Sequence, residues 1–278
     1  MQRKFLVYKM AKERLDKILT DKGFFDTKSR AQAAIMAGDV KVDGVVITKS
    51  GFQLEVKDNT VFEIKSMPFV SRGGFKLDKA LKEFNIDLSG KICLDAGAST
   101  GGFTDCMLQN GAKKVYSVDV GYGQIAWKLR TDNRVKVIEK VNVKNCSEDD
   151  IYSETDERAN FLTMDLSFIS ITKVVPNIIK LANKDNFEIV SLIKPQFEAG
   201  KEQVGKNGVV REKETHIEVI NNVIRNCSSL NLFVKNLTFS PIKGPKGNIE
   251  YLIYLGSETE NCLQPNVEDI VNSAHENL

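Results

Sequence analysis

Two hydrophobic periods alternate along this chain and divide it into a short front part and a longer remainder. In the front part, Leu15, Ile18 and Leu19 share one helical face before Gly23 stops the helix. Asp26-Thr-Lys-Ser-Arg30 then offers caps for a second helix, whose Ala31, Ala34 and Ile35 repeat at helical spacing as far as Gly38. Val40 to Ile47 alternates apolar and polar positions around Asp43-Gly44, which predicts a hairpin. The remainder reads differently. Ile92-Cys-Leu94, Val115-Tyr-Ser-Val118, Val135-Lys-Val-Ile138, Phe161-Leu-Thr-Met164, Ile189-Val-Ser-Leu-Ile193 and Tyr251-Leu-Ile-Tyr-Leu255 are strand candidates set between helical or loop stretches. The expected architecture is a small α+β unit ahead of an α/β domain with a Rossmann-like sheet.

The expected divisions are a unit over 1–66 with its core at about 13–54, a connector over 67–70, the α/β domain over 71–257 and an acidic tail over 258–278. Pro68 fixes one φ angle and biases Ser66-Met67 away from helix, so Met67-Pro-Phe-Val70 reads as a defined join. In the tail, Val267, Ile270, Val271 and Ala274 have the spacing of a helix that packs on the domain.

The stretch Ile92 to Asp105, followed by Val115 to Asp119, has the layout of a nucleoside-cofactor pocket: strand, glycine turn, helix, strand, acidic residue. Gly97, Gly101 and Gly102 let the backbone turn sharply, and Asp119 can accept both hydroxyls of a ribose. A dinucleotide site wants G-x-G-x-x-G, but position 99 is Ser. The triphosphate signature G-x-x-x-x-G-K-[ST] is absent as well. S-adenosylmethionine, which carries no phosphate, fits better. The competing reading is a ligand-free domain with a tight turn, ranked lower because Asp95 and Asp119 flank it.

Composition narrows the class. The chain has 278 residues, 42% hydrophobic and 27% charged, which suits a folded protein rather than a disordered or fibrous one. No apolar run approaches the roughly 20 residues of a membrane helix. Near the N-terminus, Phe5-Leu-Val-Tyr8 is too short for the core of a signal peptide, and Met10 would serve as a start as well as Met1. The five cysteines have no C-x-x-C spacing, which suits reduced thiols and a cytoplasmic protein. Two histidines, His216 and His275, without nearby ligand partners argue against a zinc site or a histidine triad, so no metal is expected. The net charge of +2 conceals an asymmetry: residues 1–82 hold seventeen Lys/Arg against ten Asp/Glu, while residues 256–278 hold five acidic residues and no Lys or Arg. The front is the basic end, which is either a solvated face or, on a recognisable module, an electrostatic footprint for nucleic acid.

Polar residues also stand where the strands of such a sheet should end. Lys76 lies in Ser71-Arg-Gly-Gly-Phe-Lys-Leu77, expected ahead of the domain's first helix; Asp165 ends an apolar run, Lys194 ends another before Pro195, and Glu250 opens the last. Taken singly, Lys76 and Glu250 could be a surface ion pair, Asp165 a helix cap and Lys194 a strand-end charge. Asn142 is a candidate contact to an adenine edge or a plain turn residue, and the glycine-rich Glu198 to Gly208 is a candidate lid or a plain surface loop.

These residues carry a resemblance. R-L-D at 14–16, K-S-R-A at 28–31 and G-x-V-x-V-D-G at 38–44 resemble the RNA-binding domain named after ribosomal protein S-four. The resemblance implies that Lys28, Arg30, Lys41 and Lys49 meet RNA phosphates. V-S-R-G-G-F-K, D-A-G-A-S-T-G-G-F, M-D-L-S-F-I-S, I-K-P-Q-F-E and G-P-K-G-N-I-E, in that order, resemble the FtsJ-like RNA 2′-O-methyltransferases, whose fold carries a Lys-Asp-Lys-Glu tetrad. With the front module, the whole is similar to the TlyA family, known as haemolysins but acting on ribosomal RNA. That implies a Rossmann-like S-adenosylmethionine-dependent methyltransferase domain, a cytidine ribose as acceptor and ribosomal subunits as partner, with no membrane and no obligate protein partner. It assigns Lys76, Asp165, Lys194 and Glu250 to catalysis, and Gly97, Ser99, Thr100, Gly101, Gly102 and Asp119 to the cofactor. Lys194 is the candidate base; in a weaker version it only steers the hydroxyl. The absence of an Asn/Asp-Pro-Pro-aromatic motif at Asp165 favours a hydroxyl over an amino acceptor. Two rival classes are a non-catalytic ribosome assembly factor and a membrane-lytic protein; an acidic tail speaks against the second.

Overall fold

The computed structural model describes residues 12–25, 27–57, 59–65, 68–260 and 262–278, and the chain divides after Pro68 into two compact units. The alternative starts and Ser66-Met67 of the connector lie outside the described residues.

The first unit runs β1 (Glu13–Arg14), α1 (Leu15–Asp21), α2 (Lys28–Met36), β2 (Val40–Val42), β3 (Val45–Val46), β4 (Gln53–Leu54) and β5 (Phe62–Ile64). Thr27 caps α2 by accepting the Arg30 N–H at 3.3 Å. Asp43 and Gly44 both adopt left-handed backbone, the geometry a two-residue hairpin demands. Leu15, Leu19, Ala31, Ile35, Val40 and Val42 form the core. Inside it Asp16 is buried beneath the Arg14 guanidinium fork at 3.0 and 2.6 Å and Gln32 at 2.6 Å, tying α1 to α2. The Arg14 hydrogen bonds hold this carboxyl down at about 2. The hydrophobic pattern shows four elements here; the structure adds β5, paired antiparallel with β2, and the short β1–β4 pair. Strands of two or three residues are too short for alternation to register.

The second unit runs α3 (Gly73–Glu83), β6 (Ile92–Ala96), α4 (Gly102–Gln109), β7 (Lys114–Asp119), α5 (Trp127–Arg130), β8 (Val135–Glu139), β9 (Phe161–Met164), α6 (Val175–Leu181), β10 (Glu188–Ile193), α7 (Pro195–Glu198), α8 (Lys213–Ser228), β11 (Phe233–Phe239), β12 (Tyr251–Gly256) and α9 (Val267–Asn277). Its seven strands lie in the order β11-β12-β10-β9-β6-β7-β8. β12 runs antiparallel to both its neighbours, and the other pairs are parallel. Helices cover both faces, as continuous apolar parallel strands require. On one face Leu77, Ala80, Leu81, Phe103, Met107 and Leu129 of α3, α4 and α5 pack on Cys93, Val115, Phe161, Val190, Leu192 and Leu252. On the other, α6, α8 and α9 bring Ile178, Val219, Ile220, Val223, Val271 and Ala274 onto Leu94, Tyr116, Leu162, Ile189 and Ile253. Phe69 of the connector is buried against Phe75. No helix among the described residues is long and apolar enough to cross a membrane.

Both histidines meet where α8, α9 and β12 join. The His216 ring is buried 4.9 Å from that of His275, and its Nδ1 lies 2.7 Å from the Tyr251 hydroxyl. Burial pushes His216 down to about 4, so the native state resists a proton that the unfolded chain takes near 6.5. The resulting stabilisation is complete above pH 6.5 and is lost as the pH falls from there toward 4. Urea unfolding of the protein and of His216→Gln should therefore show the midpoint of the native chain dropping more steeply across that window.

Candidate active site

Strand parity brings the charged residues together. Along β9, β10 and β12, Phe161, Leu192 and Leu252 face α3 while Leu162, Ile193 and Ile253 face away. Continuing each alternation carries Asp165, Lys194 and Glu250 to the α3 side. Glu250 stands at the start of its strand, but β12 is reversed, so this start lies at the same edge as the carboxyl ends of β9 and β10; Tyr251 pairs with Ile193. Lys76 departs from the expectation of a residue ahead of the first helix. It lies inside α3, on the buried face with Leu77, Ala80 and Leu81.

The four form one chain of ion pairs. Glu250 Oε2 is 2.6 Å from Lys76 Nζ, which is 3.6 Å from Asp165 Oδ2; Asp165 Oδ1 is 2.6 Å from Lys194 Nζ, which also reaches Ser167 Oγ at 3.2 Å. Lys76 and Lys194 are 7% and 6% exposed and Glu250 is fully buried, so this is not a surface ion pair. Buried charges of this kind persist only when paired, because each alone would cost several kcal/mol of lost hydration. Glu198, absent from the expected site, braces the surroundings. At the end of α7 it accepts from Ser170 Oγ at 2.6 Å and the Ile171 N–H at 2.8 Å, joining the segment after Asp165 to that after Lys194. Burial pushes its carboxyl up.

The glycine turn and this chain share a cleft of about 480 Å³, whose lining includes Gly97, Ser99, Thr100 and Gly102 of the turn, Ser71 and Arg72 ahead of α3, and Lys76, Asp165, Ser167 and Lys194. The glycines serve the protein before any ligand. Gly97 is left-handed at φ +85°, and a Cβ there would stand 2.8 Å from the Asp165 carbonyl oxygen. A Cβ at Gly101 would overlap Leu129, and one at Gly102 would overlap Ser71. Asp119 ends β7, accepting from the Ser99 N–H at 2.8 Å through one oxygen and the Gly121 N–H at 2.7 Å through the other. Two of its four acceptor positions stay open. Asp95 serves the fold instead. Fully buried, it accepts from the Thr104 N–H and hydroxyl at 2.9 and 2.7 Å and from Thr163 Oγ1 at 3.1 Å, anchoring the start of α4. Burial raises it to about 6.

Asn142 is an exposed turn residue whose Oδ1 accepts the Lys144 N–H at 3.0 Å, and it does not line the cleft. Lys243 and Lys246 do line it, together with Arg72. The expected site omits these three; their signal is that Arg72 and Lys246 lie inside, and Lys243 immediately before, the two motifs that carry Lys76 and Glu250. Phe168, three residues past Asp165, is 91% exposed with φ +65°, its ring 5.2 Å from that of Phe197. In the first unit Lys28, Arg30, Lys41 and Lys49 are all exposed, with Lys41 on the solvent side of β2 and 3.6 Å from Glu63.

A seven-stranded sheet with one reversed strand, a glycine turn bonded to an acidic strand end and a cleft lined by both the turn and a buried charge chain define a Rossmann-like methyltransferase domain. The FtsJ-like methyltransferase family matches residues 69–257, and the S4 domain matches residues 13–59. Hemolysin A of Brachyspira hyodysenteriae is 46% identical, over 87% of this chain and 98% of that protein. The 16S/23S rRNA (cytidine-2′-O)-methyltransferase TlyA of Mycobacterium tuberculosis (strain H37Rv) is 39% identical, over 94% of this chain and 96% of its own. A solved structure from Streptococcus thermophilus, provisionally called a hemolysin, matches with a TM-score of 0.74 at 41% identity, covering 96% of this chain and 97% of that one. The chain belongs to the TlyA family of FtsJ-like methyltransferases carrying an N-terminal S4 domain.

The packing of Gly97 against Asp165 yields a test. Gly97→Ala combines a left-handed backbone with a Cβ against a carbonyl oxygen and should destabilise the domain by roughly 1–3 kcal/mol. Calorimetry should show a lower Tm, and methyl transfer at a temperature where the variant stays folded should fall by more than the Tm change explains.

Proposed function

We propose that this protein transfers a methyl group from S-adenosylmethionine to the ribose 2′-hydroxyl of a cytidine in ribosomal RNA, working on ribosomal subunits in the cytoplasm. The observation that carries the reading is the shared cleft: the glycine turn and Lys76, Asp165 and Lys194 line the same cavity. The names of the 39%-identical relatives support the RNA and the nucleotide.

The turn suits the donor. Its lining is short and uncharged at Gly97, Ser99, Thr100 and Gly102, and Gly101 completes the bend, which fits a ligand without phosphate groups. Asp119 keeps acceptor capacity for ribose hydroxyls, and Asn142, at the next strand's turn, would meet the adenine edge only if that turn moves toward the cleft. When bound, S-adenosylmethionine supplies an activated sulfonium methyl.

The remaining work falls to the chain: place a hydroxyl in line and take its proton. Lys194 Nζ, at the cleft wall, is the group that accepts or orients that proton, and Asp165 with Ser167 aims it. Lys76 and Glu250 hold Asp165 from behind. At the rim, the exposed Phe168 ring offers a stacking face for an unpaired base, and Arg72, Lys243 and Lys246 offer cations to the flanking phosphates. In the first unit Lys28, Arg30, Lys41 and Lys49 are proposed to meet phosphates elsewhere on the RNA.

Purified protein given methyl-labelled cofactor and separate small and large ribosomal subunits should deposit label as a ribose methyl ether on cytidine; label on a base or on ribosomal protein would refute the reading. Lys194→Ala should lose roughly 10²–10⁴-fold in turnover while calorimetric titration finds cofactor binding intact. If cells lacking the protein are fully restored by Lys194→Ala, the assembly-factor reading takes its place. Phe168→Ala should raise KM for the subunit by about tenfold, the equivalent of one lost base stack, with cofactor affinity unchanged.

A further inference from the structure

We propose that Asn248 is a positioning residue for methyl transfer: by gripping the backbone of Gly208 and Val210 it holds Glu250 against Lys76. The inference rests on the assignment of the Lys-Asp-Lys-Glu chain to catalysis made above.

Glu250 touches Lys76 through Oε2 only. Its other oxygen, Oε1, is buried and has no hydrogen-bond partner among the described residues. The wall beside that oxygen is Gly244, where a Cβ would overlap it. The Lys76 ion pair holds one oxygen and the Ser240 N–H, donating to the Glu250 carbonyl at 2.8 Å, holds the backbone, so the place of the free oxygen depends on how the turn from Gly244 to Glu250 is held.

Asn248 holds that turn. Its carbonyl accepts the Gly244 N–H at 2.8 Å and closes the turn from within. Its side chain, 2% exposed, leaves the turn altogether: Oδ1 accepts the Val210 N–H at 3.1 Å and Nδ2 donates to the Gly208 carbonyl at 2.9 Å. A backbone N–H can only donate and a carbonyl can only accept, so the amide has one orientation.

Val210 is itself fixed from the other side. His216 Nε2 lies 3.1 Å from its carbonyl oxygen and must be the protonated nitrogen, which makes Nδ1 the acceptor for the Tyr251 hydroxyl at 2.7 Å. Asn248 and Tyr251 stand two residues before and one residue after Glu250. Asn248 directly and Tyr251 through His216 are thus tied to Val210, one on each side of Glu250, and the candidate lid is tied at its Gly208 end.

Asn248→Ala removes both grips, and Asn248→Asp keeps the acceptor for Val210 but sets a carboxylate against the Gly208 carbonyl. Both are compared with Glu250→Gln and with the double variant Asn248→Ala/Glu250→Gln, in single-turnover methyl transfer to ribosomal subunits below the Tm of every variant. Asn248→Ala should lose at least tenfold in kcat while KM for the subunit and cofactor affinity change less than twofold, with Asn248→Asp between it and the native protein. The double variant should be no slower than Glu250→Gln alone, because Asn248 acts through that carboxylate. Native turnover in both Asn248 variants, or losses that multiply in the double variant, would overturn the proposal. If Asn248→Ala does not fold, Asn248→Asp and its pairing with Glu250→Gln carry the same comparison. Full activity in Glu250→Gln alone would instead remove Glu250 from the catalytic chain, a failure of the earlier reading visible apart from any Asn248 result.

Discussion

A row of four charges, three of them deeply buried, sets the terms for the rest of the domain. Glu250, Lys76, Asp165 and Lys194 neutralise one another in sequence, and none of the three most buried could be left unpaired without a penalty of several kcal/mol. This demand explains otherwise unrelated features. α3 must present a lysine from its buried face, β12 must run against its neighbours so that its first residue lies at the ligand edge, and Gly244 must lack a side chain beside Glu250. The hydrophobic core allows such a row because strand parity sends all three sheet residues toward α3 without displacing an apolar neighbour.

The second constraint couples the two sides of the cleft. Asp165 presents its carboxylate to the lysines and its carbonyl to Gly97, so the residue that aligns Lys194 also packs on the turn that would receive the donor. Any shift of the turn is felt at Asp165 and through it at Lys194, the proposed proton-handling group, which suits a reaction in which donor and acceptor must be collinear. Asp95 and Asp119 divide their roles by burial. The buried one commits its oxygens to α4 and the half-buried one retains acceptor capacity, so two acids that look alike along the chain do different work.

How much of this is legible without coordinates varies by residue. Lys76, Asp165, Lys194, Glu250 and the glycines of the turn stand out because each lies in a motif at the end of an apolar run or beside a turn. Asn142 shows the limit: an asparagine after a strand serves equally as a turn cap, and its side chain caps the Lys144 N–H. Glu198 and Asn248 lie inside quoted motifs and His216 in none, but nothing local gives their roles, since they bond to groups 27, 38 and 35 residues away. The pattern also missed β5, whose three residues cannot display alternation but complete a sheet through pairing with β2.

By itself the sequence determined the strands and helices with clear periods, the division near Pro68, the glycine turn and the residue types able to handle a proton, because each depends on neighbours within a few positions. Tertiary structure alone decided that β12 is reversed, that Lys76 is buried, that Asp95 is an anchor and that Val210 meets both Asn248 and His216. Those outcomes depend on pairing and burial between segments far apart in the chain, and no local spacing encodes such distances.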